Sequence, residues 1–132
     1  MTATIDAKSA EGESFQIVLE KGTGDTGRIE MRQWAAGRDP RAATPDRHEA
    51  IDVHTVRVNT AGDRLTCKGK VIFMTVTILC LLTPPVADQA PMVNVTVTSW
   101  LGTLSTGDYI LSLGEYTELR DFILTSGFSA IA

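Results

Sequence analysis

The sequence predicts an α+β fold in one domain spanning 1–132: an antiparallel β-sheet with an N-terminal β-hairpin and a C-terminal helical region. Three observations carry this expectation. Every second residue is apolar in short runs, as in Phe15, Ile17 and Leu19 and in Val93, Val95 and Val97, which is the period of half-buried strands. Turn-forming residues punctuate those runs at short intervals. Helical spacing appears only near the end, where Leu113, Tyr116, Leu119, Phe122 and Ile123 recur every three or four residues.

The totals set bounds. A chain of 132 residues, 43% apolar and 21% charged, is globular in composition and can bury one modest core. Aromatics are sparse, so that core is aliphatic. Cys67 and Cys80 form neither a disulfide framework nor a metal site. They read as buried thiols, although Cys80 lies close enough to Pro84-Pro85 to raise a cross-link between subunits. No catalytic residue, metal or cofactor is expected. The net charge of −4 argues against a strongly basic nucleic-acid binder. Its distribution is uneven. Nine of the twelve Lys and Arg fall between Arg28 and Lys70 against six acids, a local +3, while residues 1–27 carry −3 and residues 71–132 carry −4.

In order, Thr2 to Ala7 and Ser14 to Glu20 pair as a hairpin across Ser9 to Glu13, with Phe15, Ile17 and Leu19 on one face. Lys21 to Gly27 holds three glycines, as a turn with positive φ requires. It lacks the Gly-Lys-Ser/Thr ending of a nucleotide loop. Arg28 to Ala35 is a third strand, completing an N-terminal section 1–35. The Pro- and Arg-rich stretch 36–51 is a loop. Section 52–100 holds strands over Asp52–Thr60, Arg64 to about Leu79 and Met92–Trp100, with Leu82–Pro91 as a proline-bearing loop. Section 101–132 is the helical region. Ser112 is its N-cap and Glu115 completes a capping box. The helix ends near Gly127, and Phe128 and Ile131 dock the tail.

Val71 to Leu82 is a run of twelve residues without charge. A membrane-spanning helix needs roughly 20 apolar residues, so this run is a long strand, and no membrane partner is expected. The opening MTATIDAKSA has no cationic start or apolar centre, so no leader is expected.

Every second side chain of a strand shares a face. Thr55, Arg57 and Asn59 form one polar row, Thr66, Lys68 and Lys70 a second, and Asn94, Thr96 and Thr98 a third. Together they would offer hydroxyls, amides and three cations to a polyanion such as RNA. An ordinary solvated sheet face reads the same way. Enzyme chemistry has little support: His54 and Cys67 could meet across the Ala61-Gly62-Asp63 turn, but no third orienting group is evident.

The stretch SFQIVLEKGTGDTG, with the order of strand, turn, basic strand, proline-bearing loop, strand and C-terminal helix, resembles the coat proteins of single-stranded RNA bacteriophages, the leviviruses. The resemblance implies an obligate homodimer in which the C-terminal helices pack on the sheet of the partner, through Tyr116, Leu119, Phe122 and Ile123. It implies an icosahedral virion assembled in the bacterial cytoplasm around single-stranded genomic RNA, and repression of translation through a genomic hairpin. The nine polar residues of the three rows would face the RNA, and Thr83, Pro84, Pro85, Asp88 and Gln89 would form the loop between subunits. Two other classes stay open: a phage tail or head-completion protein without RNA contact, and a cytosolic β-sandwich that binds a ligand.

Overall fold

The computed structural model describes residues 1–131. Its elements are β1 (Thr2–Lys8), β2 (Ser14–Lys21), β3 (Gly27–Trp34), β4 (Arg47–Val58), β5 (Arg64–Val71), β6 (Met74–Thr83), β7 (Met92–Ser99), β8 (Gly102–Ile110), α1 (Leu113–Thr125) and β9 (Ser129–Ala130). Each of the strands β1 to β7 pairs antiparallel with the next, and β8 returns to β1, so the sheet closes into a barrel. The short β9 adds in parallel to β4 at Arg57 and Val58, beyond the reach of β3.

The open sheet sheltered by a twin is therefore overturned. Three readings of local structure explain the difference. The apolar run 71–82 is a hairpin, broken at Ile72-Phe73 into the end of β5 and most of β6. Residues 47–51, expected in a loop, extend β4, and residues 102–110, expected in the helical region, are β8. Eight strands suffice to close a barrel whose interior side chains can fill. Ile5, Ile17, Leu65, Ile78 and Val93 are almost completely buried inside it.

The last seam is weak. The β1–β8 ladder consists of the single pair Lys8 and Ile110, and α1 packs beside it on β1. The Ser112 hydroxyl accepts from the Glu115 amide at 3.2 Å, as an N-cap should. The Glu115 carboxylate accepts from the free Asp6 amide of β1 at 3.1 Å instead of completing a capping box. The chain leaves the helix through Gly127 at φ +80°. Along α1, Leu119, Phe122 and Ile123 are buried and Tyr116 is half-buried, all within one chain. Phe122 and Phe128 enter the end of the barrel among Leu19, Ile29, Val53, Val56 and Leu65, and Leu124 lies over Gly62 in the β4–β5 turn. The stripe assigned to a dimer partner thus plugs its own barrel.

Asp25, in the β2–β3 turn, fastens the chain end. Its carboxylate accepts from the Ser129 hydroxyl at 2.7 Å, the Ser129 amide at 2.8 Å and Arg57 at 2.9 Å. The bonds from Ser129, with the charge of Arg57, hold the Asp25 carboxyl below its ordinary value of 3.8. A carboxyl depressed on folding adds stability above its unfolded pKa, and that stability is lost as pH falls through the folded value. Asp25→Asn should therefore flatten the part of the acid-unfolding profile below pH 3.8, and amide exchange should show Ser129 to Ile131 less protected at neutral pH. Unchanged exchange there would remove Asp25 from this role.

Candidate functional site

The strand parity that fills the barrel leaves its other end open. At the plugged end lie the β2–β3, β4–β5 and β6–β7 connections. At the opposite end lie the β1–β2, β3–β4, β5–β6 and β7–β8 connections, and there a cavity of about 410 Å³ enters the barrel. Its deeper wall is Phe15, Met31, Ile51, Val76, Val95 and Tyr109, and its rim carries Gln33, Arg47, Glu49, Val71, Met74, Val97 and Leu104. The β4–β5 ladder stops at Val53 and Gly69, while β4 continues along β3 as far as Arg47. Above that point the wall parts between the upper half of β4 and the β5–β6 hairpin, which widens the entrance.

Tyr109 shapes one side. Its ring stacks on Phe15 with centroids 4.0 Å apart and planes 6° from parallel. A Cβ at Gly107 would lie 2.5 Å from the Tyr109 hydroxyl, so glycine leaves the space that the ring occupies. Burial raises the Tyr109 phenol above its ordinary value, with repulsion from Glu13 and Asp108 adding to it and Arg47 opposing it. It is a neutral hydroxyl near pH 7. At the rim, the Gln33 amide donates to Glu13 at 2.9 Å. Arg47 and Glu49 are 4.0 Å apart, a loose pair that leaves the guanidinium free to meet another acceptor. The arrangement is an apolar sleeve with a few polar groups at its mouth. A wider furrow, about 1290 Å³, runs outside the barrel beneath the 35–46 loop. It is open to solvent, and Arg32 and Arg38 in it already pair with Glu30 and Asp46.

The nine residues of the polar rows lie outside the barrel, not around the cavity. Registers place Thr55 beside Lys68, Lys68 beside Thr77, and Thr77 beside Thr98; one step along, Arg57, Thr66, Leu79 and Thr96 are neighbours. This wall is convex and is interrupted by Leu79 and Leu81. Several of its groups have structural partners. Arg57 binds Asp25. Asn59 accepts from the Asp63 and Arg64 amides at 3.1 and 3.0 Å and so shapes the β4–β5 turn. Asn94 donates to Asp108 at 2.8 Å, and Thr96 bonds Asn94 and Thr106 at 2.7 and 2.9 Å. Lys68 has no ion partner among the described residues, nor does Lys70. Thr83, Pro84, Pro85, Asp88 and Gln89 form an exposed connection at the plugged end.

The conceivable His54–Cys67 pair does not form. Cys67 points into the barrel and His54 points out. Burial pushes both thiols up, Cys80 to about 12, so neither serves as a nucleophile, and Cys80 is too enclosed to cross-link subunits. Sequence reasoning passed over Arg47, Glu49 and Tyr109. Counting back in steps of two from Ile51 would have placed Glu49 and Arg47 on the inner face.

Fold and cavity together define a closed antiparallel β-barrel with one end stoppered by its own helix and an apolar chamber at the other. No known protein family, characterised protein or solved structure matches the chain.

Proposed function

We propose that this barrel binds a small, mainly apolar molecule, taken in through the open end, with the ligand's polar or anionic head near Arg47 and Gln33. The cavity carries the reading. Its volume of about 410 Å³ lies within the roughly 300–1,000 Å³ of small-molecule sites, and such sites pair apolar walls with a few polar groups. The charged groups stand at the rim and the deep walls are aliphatic and aromatic, which suits holding a molecule rather than transforming it. This follows the ligand-binding alternative, on a barrel instead of a β-sandwich.

The coat-protein reading rested on a sheet that one chain cannot cover. Closure of the barrel removes that support. What remains for RNA is the outer wall with Lys68 and Lys70.

Anilinonaphthalene sulfonate matches the proposed ligand, with fused rings and an anionic head. We expect saturable, one-site binding to native protein, competed by a medium-chain carboxylic acid. The protein should elute as a small species without nucleic-acid absorbance. An absence of saturable binding would sink the proposal, and megadalton particles rich in nucleic acid would restore the coat reading.

A further inference from the structure

Two neighbouring hairpins end in large apolar residues at the open end of the barrel. Ile72 and Phe73, between β5 and β6, are 87% and 92% exposed; Trp100 and Leu101, between β7 and β8, are 82% and 63% exposed. Two-residue hairpin turns are ordinarily made by Gly, Asn or Asp, because they need positive φ. Ile72 has φ +60° and is the one non-glycine residue with positive φ among the described residues. A β-branched residue is strained there. Glycine would relieve that strain, so folding does not explain the apolar tip.

The charges around the tips are one-sided. Between Asp63 and Asp108 the only acid is Asp88, which sits in the β6–β7 connection at the far end of the barrel. Lys68 and Lys70 stand on the outer face of β5 just behind the tip, exposed. Of the acids of this end, Glu11, Glu13, Asp39 and Asp46 lie across the mouth in the β1–β2 and β3–β4 connections, Asp46 paired with Arg38, and Glu49 stands on the rim beside Arg47.

From the strained apolar tip, the exposed indole and the unpartnered lysines, we propose that the β5–β6 and β7–β8 tips dock on an anionic lipid surface, with the barrel tilted so that its acidic rim stays in water. Apolar side chains enter the headgroup boundary and lysines meet anionic headgroups. An indole is suited to that boundary, being apolar with one polar N–H. A second copy of the chain fits less well. An isologous contact through these tips would bring Lys68 and Lys70 of both copies together with no acid to meet them. The expectation of no membrane partner rests on the length of one apolar run, which bears on spanning and not on surface docking, and no helix among the described residues is long and apolar enough to cross a bilayer. Docking at the surface asks for neither a span nor an occupied cavity, so this inference does not depend on the ligand reading.

The test uses the full chain with vesicles of phosphatidylcholine, alone or mixed with phosphatidylglycerol. Trp34 is 4% exposed and Trp100 is 82% exposed, so a change in emission reports Trp100. We expect the protein to float with the mixed vesicles, a blue shift in emission, and affinity roughly tenfold above that for phosphatidylcholine alone, falling with salt. The variant Ile72→Gly/Phe73→Ser should fold at least as well and lose flotation. Lys68→Gln/Lys70→Gln should keep only the weaker binding. No flotation and no blue shift with the mixed vesicles would overturn the proposal. So would a wild-type dimer that the tip variant abolishes while vesicles have no effect.

Discussion

Phe122→Ala should lower the unfolding free energy by about 3–5 kcal/mol, the range for truncating a buried phenylalanine. Phe122 is 4% exposed and stands at the centre of the plug, its ring 6.2 Å from that of Phe128 and tilted by 60°. The free space beside it, walled by Leu19, Ile29, Val53 and Val56, is only about 10 Å³. Those walls belong to a hydrogen-bonded barrel that cannot collapse into the gap. The cavity term should therefore be felt almost in full. Urea unfolding measures the loss. Its midpoint should not depend on protein concentration in wild type or variant, because plug and barrel are one chain. A midpoint that rises with concentration would mean that the helix is held by a partner. A cost below about 1 kcal/mol would fit an ordinary surface site and contradict the plug.

The same residues show how far the sequence could be read. The spacing from Leu113 to Ile123 identified the helix and its apolar side, and Ser112 identified its start. What the stripe would cover was not in the spacing, because an apolar face carries no address. Its target depends on whether the sheet is open or closed, and closure depends on strand number. That number was miscounted at two places. At Ile72-Phe73 the chain turns without glycine, asparagine or aspartate, so the usual hairpin signal is missing. In Gly102 to Ile110 the exposed positions include Leu104 and Ile110, which blurs the alternation on which strands are recognised. Where alternation was clean, as in β2 and β7, the inner faces Phe15, Ile17, Leu19 and Val93, Val95, Val97 are those the sequence indicated.

The cavity was less legible than the strands. Most of its walls are core positions by pattern, and nothing local distinguishes a valine that packs on another side chain from one that borders empty space. That difference arises from how strands of unequal length are staggered around the barrel. β4 has twelve residues and β5 has eight, and the cavity opens where the longer strand outruns the shorter. Arg47 and Glu49 belong to the overhang. Their charge made the stretch look like loop, yet charge on the inner face is tolerable at a wet rim. The polar rows were legible in the opposite sense. Their outward direction followed from parity, while their partners, such as Asp25 for Arg57, come from turns distant in sequence.

Val97→Trp should reduce binding of the naphthalene dye by at least about 100-fold, equivalent to roughly 2.7 kcal/mol of binding free energy. Val97 points inward on β7, opposite Ser105 of β8 and beside Ile78 of β6, and it borders the cavity near its mouth. An indole in that position occupies the passage that a ligand must use. Stability makes the experiment two-sided. Enlarging a side chain in a filled core usually costs about 1–3 kcal/mol through displaced neighbours. Into an open chamber of about 410 Å³ the indole should fit with a change no larger than about 1 kcal/mol in either direction. The neighbouring substitution Thr96→Trp supplies the control. Thr96 lies one residue away but on the outer wall, bonded to Thr106, so parity predicts unchanged dye affinity. If Val97→Trp destabilises as a filled core would and the dye still binds, the chamber is not the site. If both variants weaken binding equally, the dye sits on the outer wall, and the barrel's interior is ordinary core.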